Sequence, residues 1–484
     1  MVQTNKKTVR FILFCLLTAL FALTLTACNK NAEPIYLTID GDIKGDIVRV
    51  DLAQQKQTEY LYDDDGEEKQ GEGWELSAVF EGIEFLYPQN KVMITATDGV
   101  SAVLQYPLTS AVYLYQNEDG KLCAKGIDYP KVVGIKDISE ITVVTTEDAT
   151  GGYKVLTPTE TSYISRGNAK LKLFSLAATN LFKENAADKY TKAADPSVSC
   201  FTGRSKNIVY FEDFDIAKNT SGALLDWKDG KLVCDSGNGA KAVFGFVTGT
   251  DTLIQDAYYE MKEAVDEDQK VMFILPDGFS WEQANVFNEE LTTLKLNENA
   301  TVAASTHLSI SPVALAAIVT GQPPITNGVF FQDGESRAVL PLAVEDIFGY
   351  AENAGKSVAY IEGRGNLILT SVTPEYSLSD NEAYLKAMQA VNAGKDLIFV
   401  HFHETDDTNH KYGPLSIQAK TKLLTIETYI ADLIHAFEGK VVVVPDHGHN
   451  TLYDTLGNPY GDHGLFTALD MYVPFYVFEG AYED

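Results

Sequence analysis

The C-terminal half of the sequence predicts an α/β sandwich, a parallel sheet covered by helices, and the N-terminal half predicts β-rich accessory structure. Three observations carry this reading. Val271–Leu275, Leu397–Val400 and Val441–Val444 are unbroken apolar runs, the pattern of strands buried on both faces. Between them lie the helical stretches Pro312–Val319, Ala343–Ala354, Asn381–Asn392 and Ser416–Phe437. Before Asp266 the texture is different, with short alternating strands such as Ile47–Leu52 and Lys91–Ala96 broken by Asp/Gly-rich turns.

Taken in chain order, residues 1–27 read as an export signal: Lys6, Lys7 and Arg10 precede an apolar run from Phe11 to Ala27. The run closes on Leu25-Thr26-Ala27-Cys28, which resembles the bacterial lipobox. That resemblance implies cleavage before Cys28, its lipidation, and anchoring to the outer face of a bacterial membrane, with 28–34 as a polar tether. Residues 35–150 are expected to form one β-rich accessory domain. Ile208–Phe211 and Asp229–Leu232 echo its strand and turn patterns, which suggests a second such module over 151–264. The α/β domain then occupies 265–484. Cys123, Cys200 and Cys234 show no metal-ligand spacing.

Charge narrows the function. With 68 acidic against 38 basic residues, the net charge is −30, and the resulting field repels nucleic acid. A small phosphate ester would be repelled as well, so any phosphate site must carry its own positive charge. Metal ions supply that most directly.

Each of the three apolar runs ends in carboxylates or imidazoles: Leu275-Pro276-Asp277, Val400-His401-Phe402-His403 leading to Asp406, and Val444-Pro445-Asp446-His447. In open α/β sheets ligands bind beyond the carboxyl ends of strands, where such loops converge. Seven of the eight histidines, His401, His403, His410, His435, His447, His449 and His463, lie in the last 84 residues. One catalytic cluster is the economical explanation.

Asp406-Asp-Thr-Asn-His410-Lys-Tyr-Gly-Pro414, Pro445-Asp446-His447-Gly448, Gly461-Asp-His463-Gly464 and Leu275-Pro-Asp277-Gly278 resemble, in order, motifs of nucleotide pyrophosphatase/phosphodiesterases in the alkaline phosphatase superfamily. The stretch Ser311–Gly328 resembles that family's nucleophile helix. The resemblance covers residues 271–484. It implies an alkaline-phosphatase-like sheet, two divalent ions (zinc, with manganese as the alternative) and a small phosphate-ester substrate. Asp406, His410 and His463 would hold one ion, and Asp277, Asp446 and His447 the other. Asp407 is the rival of Asp406, with spacing to His410 favouring Asp406. His401, His403 and His449 are candidates for outer partners of the ligands.

Ser311 is expected as the nucleophile, ten positions before Gly321 and at the N-cap of the helix that Pro312 begins. Thr306 and Ser309 are the alternatives in the same loop. Asn327, Gln332 and Arg337 are candidates for the non-bridging phosphate oxygens, because Asn327 stands where the family has a histidine. A sulfatase would need a Cys or Ser in an x-Pro-x-Arg segment, and none occurs near Ser311. A surface binding lipoprotein with a vestigial catalytic domain is the competing class. Because every expected ligand lies beyond residue 264, the segment 265–484 is expected to fold and act alone.

Overall fold

The computed structural model describes residues 33–480 apart from 65, 183–184, 238, 298, 331–339, 364 and 366. The signal segment, Cys28, Gln332 and Arg337 therefore lie outside the described residues. Among those described, no helix is long and apolar enough to cross a membrane.

The described chain divides into two compact units. The first holds residues up to 149 with 165–194 and 227–230, built on a seven-stranded and a four-stranded sheet. Its core includes Leu37, Ile39, Trp74, Val92, Ile94 and Leu104. Phe174–Phe182 and Asn185–Lys192, expected in a second module, continue this first sheet. The reason is register: Asn185–Lys192 runs antiparallel to Val100–Tyr106, with Ala187 opposite Leu104, and Ala187 joins the same core.

The second unit is the expected α/β sandwich. Its main sheet has eight strands: β1 (Thr252–Leu253), β2 (Val271–Pro276), β3 (Ala300–Ala304), β4 (Val358–Glu362), β5 (Glu375–Tyr376), β6 (Leu397–Phe402), β7 (Lys440–Val443) and β8 (Tyr472–Glu479). The order is β1-β3-β8-β7-β2-β6-β4-β5, and β8 is the strand that runs antiparallel to its neighbours β3 and β7. All of β2 and β6 is buried. Alternation splits them between two cores. Phe273 and Leu275 face the layer containing helix Ser311–Thr320, and Met272 and Ile274 face the layer of helices Asp380–Asn392 and Ile417–Ala436. The helix expected over 343–354 starts only at Ile347, because the Asp346 carboxylate caps it by accepting the Gly349 N–H.

The boundary expected at 264/265 also moves. Tyr153–Thr157, Asn207–Phe211 and Ala240–Thr248 form a further sheet within this second unit. Leu156, Ile208, Tyr210 and Val247 from that sheet share one core with Leu253, Ala304, Phe466, Met471 and Tyr472. The buried Tyr472 hydroxyl donates to the Thr248 carbonyl at 2.7 Å. The Tyr210 hydroxyl donates to Ser305 O at 2.5 Å, and Ser305 Oγ donates to Asp446 O at 2.5 Å.

Truncation at residue 265 would remove edge strand β1 and expose several large apolar side chains, each worth about 1.5–3 kcal/mol when buried. The 265–484 fragment is therefore expected to lack a cooperative thermal transition. A sharp melt of that fragment by circular dichroism would show that the shared core is dispensable.

Candidate metal centre

Four strand ends deliver the site. β2 runs into Asp277, β4 ends on Glu362, β6 contains His401 and leads to His403, and β7 leads through Val444 and Pro445 to Asp446 and His447. Parallel pairing of β2 with β6, β4 with β6 and β2 with β7 brings these carboxyl ends together. The helix Glu404–Tyr412 follows β6 and places Asp406 and His410 one turn apart on the same face. Asp407 is exposed, whereas Asp406 faces the histidines.

Three donor groups result among the described residues, one of them Asp277 with His401 and His403. Asp406, His410, His449 and His463 offer ligand atoms within 4.8 Å of one another, and so do Asp277, Asp406 and His447. Asp446 adjoins this last group, its Oδ2 lying 3.4 Å from His447 Nε2. The imidazoles are oriented by one device. Nδ1 of His410 lies 2.9 Å from the Gly461 carbonyl, of His463 3.0 Å from Ser309 O, of His447 3.1 Å from Gly448 O, and of His449 3.3 Å from Gly278 O. A carbonyl accepts only, so at these contacts Nδ1 carries the proton and Nε2 presents a lone pair to the cluster; His449 Nδ1 also lies 3.5 Å from the Asn409 amide nitrogen, farther than from the Gly278 carbonyl.

The residues fit metal ions. Asp277 Oδ1, Asp406 Oδ1, Asp446 Oδ2 and His449 Nε2 are buried without hydrogen-bond partners. Buried polar atoms are rarely left so, and four converging on one place call for cations. Burial and the charge of nearby His463 push the His447 pKa down to about 3, so its imidazole is neutral and competent to ligate. Burial and the charge of Asp277 raise the Asp446 carboxyl well above its ordinary range. A cation beside it would reverse that.

His401 and His403 behave differently, and a residue absent from the sequence reading explains why. Glu362 Oε1 lies 2.8 Å from His401 Nδ1 and 2.6 Å from His403 Nε2. The remaining nitrogens, His401 Nε2 and His403 Nδ1, lie 3.1 and 3.2 Å from Asp277 Oδ2. The two rings stack with centroids 3.7 Å apart, each bridging both carboxylates. Burial disfavours their charged forms, yet the carboxylates outweigh it: His401 rises to about 9 and His403 goes well above its usual range. Burial likewise pushes Asp277 up, but bonds from both histidines hold it well below the ordinary carboxylate range. His401 Nδ1 makes no aligned hydrogen bond despite its closeness to Glu362, but every nitrogen of the pair faces a carboxylate, so His401 and His403 are partners of Asp277 and leave only its Oδ1 facing the donor groups. The Tyr360 hydroxyl (2.5 Å) and the Gly363 N–H (2.9 Å) complete the bonding of Glu362.

Ser311 Oγ lies 3.2 Å from His447 Nε2. Its helix begins at Ser311 itself rather than at Pro312, and the hydroxyl makes no capping bond, which corrects the expected N-cap role. Thr306 and Ser309 spend their hydroxyls on the carbonyls of Leu308 and Leu465. Asn327 is not free to hold phosphate: its amide donates to Gln322 O and accepts from Val329 N–H, closing its own turn.

The sequence profile described as Type I phosphodiesterase / nucleotide pyrophosphatase matches residues 364–467, a stretch that carries Asp406, His410, Asp446, His447 and His463. Over these residues the chain is similar to the type I phosphodiesterase / nucleotide pyrophosphatase family. Asp277, Ser311 and Glu362 lie before the matched stretch. Among solved structures, murine ectonucleotide pyrophosphatase / phosphodiesterase 5, an inactive form in complex with AMP, is 16% identical, covering 39% of this chain and 59% of its own, with a TM-score of 0.28. Phosphonoacetate hydrolase from Sinorhizobium meliloti 1021, in complex with phosphonoformate, is 17% identical, covering 40% and 59%, with a TM-score of 0.32. The chain thus spans 59% of the length of each. No curated protein matches the sequence.

Sequence reading missed Glu362 because β4 was not recognised. Its signal was present: Val358–Ile361 is an apolar run ending in a carboxylate, like the other three. Glu362→Gln would leave the buried His401 and half-buried His403 imidazoles without their shared anion. A destabilisation of about 3 kcal/mol or more is expected from denaturant unfolding of the metal-free protein, and an unchanged midpoint would show that Glu362 does not hold them.

Proposed function

We propose that this protein hydrolyses phosphate esters at a site of two divalent ions, with Ser311 as nucleophile. The observation that carries the reading is the convergence of unpartnered buried donor atoms from separate strand ends beside the Ser311 hydroxyl. Asp406, His410 and His463 would hold one ion, and Asp277, Asp446 and His447 the other. Imidazole with carboxylate suits zinc. When bound, the ions supply positive charge for the non-bridging oxygens and make hydroxyl and water better nucleophiles.

The chain's own residues do the rest. Ser311 Oγ forms a bond to phosphorus as the ester oxygen leaves, giving a phosphoserine, and water then displaces the serine and releases phosphate or a phosphomonoester. The serine opens a ten-residue helix, so backbone N–H groups and the helix dipole favour the phosphoryl group there. Asp277 is kept ionised and oriented by His401 and His403. The Lys6–Cys28 segment further supports a lipid-anchored protein acting outside the membrane.

Ser311→Ala should keep its fold and metal content while turnover of aryl phosphomonoesters and phosphodiesters falls roughly a thousandfold or more. If that variant stays active while Ser309→Ala or Thr306→Ala is dead, another hydroxyl is the nucleophile. Less than one equivalent of metal in the wild-type protein, with no release of nitrophenol from aryl phosphates, would overturn the function.

A further inference from the structure

His449 stands apart from the ligand sets above. It is fully buried, and its Nε2 lacks a hydrogen-bond partner although Asp406 Oδ1, also unpartnered, is 3.0 Å away. Two buried acceptors at this separation repel unless a proton or a cation lies between them, and the contact of His449 Nδ1 with Gly278 O keeps the ring's proton on the far side.

Ring geometry points the same way. The centroids of His410, His449 and His463 are separated by 4.9, 4.9 and 5.0 Å, a nearly equilateral triangle with Asp406 as the fourth corner. His449 is also seated for this position. A Cβ on Gly278 would lie 2.6 Å from its Cε1, and one on Gly461 would lie 3.1 Å from its Cδ2. Gly278 further adopts φ +71°, a conformation that favours glycine. Gly278 O accepts from both His449 Nδ1 and the Asn409 amide, at 3.3 and 2.9 Å, so the ring is held by backbone on one side and open to the cluster on the other.

We infer that His449 is a fourth protein ligand of the ion held by Asp406, His410 and His463. The inference rests on the two-ion reading above. It makes the two sites unequal. Three imidazoles and a carboxylate supply the four donors that tetrahedral zinc prefers, while Asp277, Asp446 and His447 leave their fourth position to Ser311. The Asp406 site fills first and favours zinc over manganese, and a substrate oxygen reaches its ion only as a fifth donor.

The test begins with metal-free wild-type protein titrated with zinc against a chromophoric chelator, followed by X-ray absorption at one equivalent. Two equivalents are expected, the first with three imidazole nitrogens. His449→Gln, which keeps an amide donor near Gly278 O, should weaken the first equivalent by more than about 100-fold, beyond the 10–100-fold typical of an outer partner. Two imidazoles at the first zinc would overturn the assignment of His449 and leave the two-ion reading standing, even if the variant fails to fold. No zinc binding by the wild-type protein would overturn both.

Discussion

The second unit is organised around carboxylates buried close together at the carboxyl ends of neighbouring strands. Asp277, Asp446 and Glu362 are at most 2% exposed, and Asp406 joins Asp277 within one donor group. Like charges in that setting repel strongly and cannot be rescued by water. Two compensations divide the load. The His401 and His403 pair neutralises Glu362 and one oxygen of Asp277, and the remaining oxygens, with four imidazole lone pairs, face the space that suits two cations.

Orientation is as important as charge. Four histidines are each tied through Nδ1 to a backbone carbonyl, so loop positions set the direction of every lone pair. The loops are held in turn. Ser305 binds the Asp446 carbonyl and receives Tyr210 from a sheet well upstream in sequence. Strands that read as accessory therefore buttress the chemistry, and precision at the site depends on a core formed by segments hundreds of residues apart.

The same arrangement would reconcile a net charge of −30 with the proposed anionic substrate. The whole-molecule field disfavours phosphate, but two divalent ions held by these donors would invert the potential locally. Inequality between the donor sets would divide labour, one ion anchored by protein and the other left open to the nucleophile.

Residue types and local spacing are what the sequence determined unaided. Apolar runs marked β2, β6 and β7, because strands buried on both faces show no polar interruption, and the carboxylates and imidazoles after them marked the site. Asp406 with His410 was legible because one helical turn separates them. Pairings across long separations were not legible. Glu362 finds its histidines about 40 residues away, His449 acquires its meaning from Gly278 and Asp406, and the sheet of residues 153–248 shares its core with the C-terminal strand. Tertiary structure alone decided these, since which nitrogen or carboxylate oxygen is already occupied depends on neighbours brought together only by packing of the sheets.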